Sequence, residues 1–122
     1  MTLGERPHGA DRWFLGWAIG VALVLLAPPA LVPGLATATE TGLDKAGHFL
    51  LFLVLALLAV PPARARTRHP AAAVVVVGVL YGAVLEGLQA ATGVRSAELG
   101  DLVADGLGSV AGALAMALWR QA

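Results

Sequence analysis

Eight polar residues in an otherwise apolar chain have the types and spacing to do chemistry. They are Asp44, Lys45 and His48 in one group, Glu86 and Gln89 in a second, and Arg95, Asp101 and Asp105 in a third. Asp44 and His48 are four residues apart, as are Asp101 and Asp105, so on a helix each pair shares one face. A histidine, four carboxylates and two flanking cations suit a metal site, a general acid/base pair or a pocket for a charged headgroup. Residue types alone leave these three open, and they name neither a metal nor a cofactor.

The elements that must position these residues follow from composition. The chain has 122 residues, 58% hydrophobic and 13% charged, with a mean hydropathy of +0.80. A soluble chain this short cannot hide that much apolar surface, so lipid is its solvent. Eight basic and eight acidic residues cancel, and without a basic stripe nucleic acid is not an expected partner. The absence of cysteine excludes disulfides and thiolate chemistry.

Four apolar runs, at about 13–33, 44–63, 71–91 and 99–119, each have roughly the 20 residues that a spanning helix needs. The expected fold is all-α, an integral membrane four-helix bundle forming a single domain over residues 1–122. Pro28, Pro29 and Pro33 should kink or end the first span, and Pro61 and Pro62 should close the second. Trp13 and Trp17 suit an interfacial belt, and Gly16 with Gly20 offers a close helix contact. A rival reading takes Arg6, Arg12, the apolar run and Ala36-Thr37-Ala38 as a signal peptide with a small-residue cleavage site.

In the third run Gly78, Gly82, Glu86, Gln89 and Gly93 fall on one helix face; in the fourth, Asp101, Asp105, Gly108 and Gly112 do the same. Small residues on such a face let a neighbouring helix approach, and the polar ones are then presented to it. Ser96 is placed to cap the fourth helix. Several of these residues also have plain structural explanations. Glu98 and Asp101 open a helix, where the macrodipole favours negative charge. Lys45 can snorkel to the interface, and His48 can be a neutral donor to a carboxylate. Glu86, about five residues inside its span, lies roughly 7–8 Å below the helix end, beyond the reach of capping or snorkelling.

Arg6, Arg12, Arg64, Arg66, Arg68 and Arg120 fall on one side of a four-helix hairpin, and Lys45 with Arg95 on the other. The positive-inside rule then puts both termini in the cytoplasm and all three polar groups at the outer face.

The sequence Asp44-Lys-Ala-Gly-His-Phe49 with Phe52, then Glu86-Gly-Leu-Gln89, Arg95-Ser96, Asp101 and Asp105-Gly-Leu-Gly108-Ser-Val-Ala-Gly112 resembles the VanZ-like family of small bacterial membrane proteins. The resemblance covers about residues 43 to 115. It departs at Asp105, where the family commonly has Asn. The resemblance implies a multi-pass protein of the bacterial cytoplasmic membrane, in a family named for a member linked to teicoplanin resistance. It implies no known reaction. Some relatives carry an acyltransferase label, phosphotransbutyrylase, but nothing in this sequence looks like a site for a soluble CoA substrate.

The leading expectation is a VanZ-like membrane protein with an outward-facing polar pocket. Its partners are membrane lipid and an envelope lipid or cell-wall precursor that it binds or processes, or whose exposure to glycopeptide it lowers. Glu86 and Asp101 would be acid/base or ligand groups and His48 a proton partner. Lys45 and Arg95 would contact anions, and Asp44, Gln89 and Asp105 would complete the site. Two alternatives stand beside it: a small proton-coupled transporter, and a structural membrane subunit held together by the same polar cluster. Oligomeric state is open.

Overall fold

The protein is described from a computed structural model, which describes residues 8–31, Gly34, 41–93 and 98–121. Four helices follow one another: α1 (His8–Leu26), α2 (Leu43–Arg64), α3 (Pro70–Thr92) and α4 (Leu99–Gln121). A single 3-10 turn, Pro29–Leu31, follows α1. All four are long and apolar enough to cross a membrane. The fold is an all-α, integral membrane four-helix bundle.

The surface confirms the inverted solvent. Leu23, Leu50, Leu80, Val84, Leu107, Leu114 and Leu118 are all more than half exposed, while His48, Glu86, Gln89, Asp101, Asp105 and Ser109 are buried. Leucine and valine gain by facing hydrocarbon, whereas a charged side chain there costs several kcal/mol, about 2.5–3.5 on insertion scales. The apolar core is correspondingly small. Val21, Leu25, Phe52, Leu55 and Leu85 form one cluster, and Ala56, Val60, Val74 and Ala113 form a second.

Helices α2 and α4 share the largest interface, and two glycines make it possible. A methyl added at Gly108 would run into the Phe49 carbonyl oxygen, and one at Gly112 into the Leu53 carbonyl oxygen. Here backbone meets backbone. On α3 the glycines do something else: Gly78 receives the side chain of Ser109, and Gly82 that of Asp105. Gly16 and Gly20 do not make the close contact their spacing suggested, since nothing lies within 4 Å of an added Cβ at either. Gly93 leaves the α3 stripe as well. It is exposed and takes the left-handed conformation (φ 72°) that ends the helix.

Pro28 and Pro29 end the first helix as expected, whereas the second helix runs two residues past Pro61 and Pro62. Helix α1 begins earlier than the apolar run, at His8, and stops at Leu26, short of Pro28. Pro33 lies outside the described residues. Pro61 and Pro62 sit within the last turn of α2, which continues to Arg64. Proline removes the N–H donors that would meet the Leu57 and Leu58 carbonyls one turn back, and at the helix end the Arg66 guanidinium donates to the Pro62 carbonyl at 2.8 Å. The same Arg66 pairs with Asp11 at the start of α1, and Arg64 donates to the Met116 carbonyl on α4. The ends carrying these arginines therefore gather together.

Helix α1 is part of the bundle. Trp17 Nε1 donates to the Leu51 carbonyl at 2.9 Å, Tyr81 donates to the Ala18 carbonyl, and Val21 and Leu25 are core residues. Ala36-Thr37-Ala38, the cleavage site in the rival reading, lies outside the described residues.

Candidate functional site

At the end opposite the arginines, three helix termini converge. The first turns of α2 and α4 and the last turns of α3 bring Asp44, Lys45, His48, Glu86, Gln89, Asp101 and Asp105 together. Arg95 and Ser96 lie outside the described residues.

His48 is the centre of the cluster and is 2% exposed. Its Nδ1 lies 2.7 Å from Asp105 Oδ1. An ionised carboxylate only accepts, so Nδ1 carries the proton and donates it. In the neutral imidazole that leaves Nε2 as a bare acceptor. Nε2 points toward Asp101, 3.7 Å from Oδ2, and has no hydrogen-bond partner. Gly82 on α3 makes room for the Asp105 carboxylate, since an added Cβ there would stand 2.7 Å from Oδ2. The Ser109 hydroxyl turns back to the Asp105 carbonyl at 2.9 Å.

Glu86 does reach a helix end, contrary to the expectation from its depth. Its Oε2 accepts from the backbone N–H of Glu98 at 3.0 Å. Glu98 is the residue on which α4 starts, because its carbonyl accepts from Asp101 and Leu102 N–H. A carboxylate on α3 thus ties down the beginning of α4, where the macrodipole favours it. The N-cap position is Glu98; any capping bond from Ser96 lies outside the described residues. Only one Glu86 oxygen is engaged in this way; Oε1 is buried and unpartnered.

Gln89 holds α1 in place rather than lining an opening. Its Nε2 donates to the Leu25 carbonyl at 2.6 Å, in the last turn of α1, where carbonyls lack intrahelical donors. The prolines that follow supply none. Its Oε1 is buried without a partner.

Lys45 forms the rim. Its ammonium is 2.7 Å from Glu98 Oε2, 3.4 Å from Asp101 Oδ1 and 3.9 Å from Asp44 Oδ2. Its stem lies against Gly100, where an added Cβ would meet Lys45 Cε at 2.6 Å. Snorkelling does not describe this residue: it is the shared counter-ion of three carboxylates. An anion reaches it only by displacing one of them. Glu98, expected only as a helix-start charge, is a full member of the rim. Its position three residues before Asp101 was the available signal.

A cavity of about 520 Å³ lies at the arginine-bearing end, lined by residues such as Phe14, Pro62, Arg66 and Val77.

A sequence model of the VanZ/LLP1 family matches residues 14–120. The chain belongs to the VanZ/LLP1 family. The match reaches well beyond residues 43–115, which carry the motifs, and takes in α1 and the rest of α4. No curated protein matches the chain, and no solved structure does. In this VanZ/LLP1 chain the Asp44–Phe49 stretch opens α2, the Glu86–Gln89 stretch closes α3, and the Asp105–Gly112 stretch both reaches into the site and packs α4 on α2.

Proposed function

We propose that this VanZ/LLP1 protein acts at the outer face of the bacterial cytoplasmic membrane, with both termini in the cytoplasm. There it takes the polar end of an envelope lipid or a lipid-borne cell-wall precursor into the His48 cluster, and so lowers sensitivity to glycopeptides of the teicoplanin kind. The observation that carries this reading is the buried His48–Asp105 pair, whose bare Nε2 faces Asp101 beside an unpartnered Glu86 oxygen. A group held only as internal glue would have its buried acceptors satisfied, because an orphaned one costs about 1–3 kcal/mol. His48 is set to accept a proton from a hydroxyl or water, with Glu86 and Asp101 as the acid/base partners. The Lys45–Glu98 pair, the half-exposed part of the cluster, is where a headgroup enters.

The test is Glu86→Gln in a host whose glycopeptide tolerance depends on the protein. The amide oxygen still accepts from Glu98 N–H, so the variant should insert and remain folded while the tolerance disappears. Full tolerance with Glu86→Gln would remove the acid/base role. An unfolded or degraded variant would favour the cluster as glue, and pH-gradient-driven flux in proteoliposomes would favour transport.

A further inference from the structure

We infer that His48, Glu86 and Asp101 form a binding site for a first-row divalent cation, of which Zn²⁺ is the representative. One ligand atom from each of these three buried residues lies within 4.8 Å of the other two. For metal–ligand bonds of about 2.1 Å, ligand atoms stand roughly 3.4 Å apart in a tetrahedral site. The His48 Nε2 to Asp101 Oδ2 separation of 3.7 Å is already close to that, and small side-chain rotations bring in the third atom.

Two features beyond the clustering point to an ion. The first is that His48 Nε2 and Glu86 Oε1 are both buried without a partner, in side chains that are 2% and 7% exposed. The second is the support behind the histidine. Asp105 accepts from Nδ1 at 2.7 Å, which is how metal-bound imidazoles are oriented and made more basic. Three protein ligands leave a fourth position for water or substrate, the arrangement of a catalytic rather than a structural site.

A rival trio, Asp44, Glu98 and Asp101, also clusters, but Lys45 already stands within 2.7–3.9 Å of an oxygen of each. The outer trio has its cation. Of the inner trio only Asp101 meets that cation, through its other oxygen, Oδ1. Among the described residues the cluster holds five carboxylates, Asp44, Glu86, Glu98, Asp101 and Asp105, and one ammonium, which contacts three of them, and a divalent ion reduces the imbalance in a medium that screens poorly. One imidazole nitrogen and two carboxylate oxygens suit Zn²⁺ or Mn²⁺, with Zn²⁺ the tighter by the usual order of divalent affinities.

This inference rests on reading the cluster as a functional site, but it is tested without lipid, so its failure leaves the headgroup reading to its own assay. Full-length protein in detergent is stripped with chelator and titrated with Zn²⁺ by calorimetry and with Co²⁺ by visible absorbance. Uptake of about one ion per chain, with the Co²⁺ bands of a four-coordinate site, is expected. Glu86→Gln, Asp101→Asn and His48→Gln should each weaken Zn²⁺ binding by at least about 100-fold. Asp105→Asn should weaken it by about 10–100-fold, as loss of an outer-shell carboxylate does. Glu98→Gln should leave it within a few-fold. Should a ligand variant fail to stay monodisperse, the unmodified protein still decides the matter. No stoichiometric uptake, or no Co²⁺ bands, overturns the proposal. So does binding that is lost with Glu98→Gln and kept with His48→Gln, which would move the ion to the rim.

Discussion

The bond between His48 and Asp105 is the most exposed to test, because a pair of substitutions at one position separates acceptor from charge. Asp105→Ala removes the acceptor, and Asp105→Asn keeps an acceptor oxygen but removes the charge. The 2.7 Å separation lies in the charge-assisted range, where a hydrogen bond contributes about 1.5–3 kcal/mol net. With alanine, that contribution is lost and the Nδ1 proton is left buried without a partner, for a total of about 2–3 kcal/mol. At about 4 °C per kcal/mol, the melting temperature in detergent should fall by on the order of 10 °C. With asparagine, a neutral bond of about 1 kcal/mol remains. Removing one of the crowded carboxylates offsets part of the difference. Asp105→Asn should therefore melt within a few degrees of the unsubstituted protein and keep its glycopeptide tolerance. Asp101→Asn should lose tolerance, since Asp101 faces both His48 Nε2 and Lys45. The measurements are thermal unfolding by loss of monodispersity and growth of an expressing host on glycopeptide. Equal stability of the alanine and asparagine variants would refute the claim that position 105 holds the imidazole. If Asp105→Asn were the inactive variant and Asp101→Asn the active one, the charge at 105 would be the essential one.

Two further outcomes are expected. Gly108→Ala and Gly82→Ala should each destabilise the bundle, the first more because its obstacle is the α2 backbone rather than a side chain. Overpacking of this kind costs about 1–3 kcal/mol or more. Gly16→Ala, Gly20→Ala and Gly87→Ala meet nothing within 4 Å and should be neutral or stabilising by up to about 1 kcal/mol on helix propensity. Thermal stability across the set checks both halves, and a Gly108→Ala variant as stable as Gly20→Ala would sink the packing argument. For topology, reporters fused at Thr39 and Gly93 should read extracytoplasmic and those at Thr67 and the C-terminus cytoplasmic, following the basic-residue asymmetry. A cytoplasmic signal at Gly93 would place the His48 cluster on the inner side.

The four spans were legible because hydropathy over some 20 residues is a local property, set by the need to satisfy backbone hydrogen bonds within each segment. The meeting of Asp44, His48, Glu86 and Asp101 at one end was legible for the same reason, since alternating spans of equal length return the first and third connections to the same side. Helical spacing also put Glu86 with Gln89, and Asp101 with Asp105, on inward faces. The sequence could not assign partners. Gly16–Gly20 and Gly108–Gly112 have the same spacing, yet only the second pair meets another backbone, because contact depends on which face the neighbouring helix presents. Capping logic looks for a nearby serine, whereas the residue before α4, Glu98, is held by Glu86 from another helix, a bond between residues with no fixed spacing. Lys45 has the signature of a snorkelling residue, and only the converging helix ends turn it into the counter-ion of three carboxylates. Sequence thus determined which residues are too polar for lipid and at which end of the bundle they gather. Tertiary structure decided which atoms they satisfy and which remain bare, since that depends on distances between helices that no local pattern encodes.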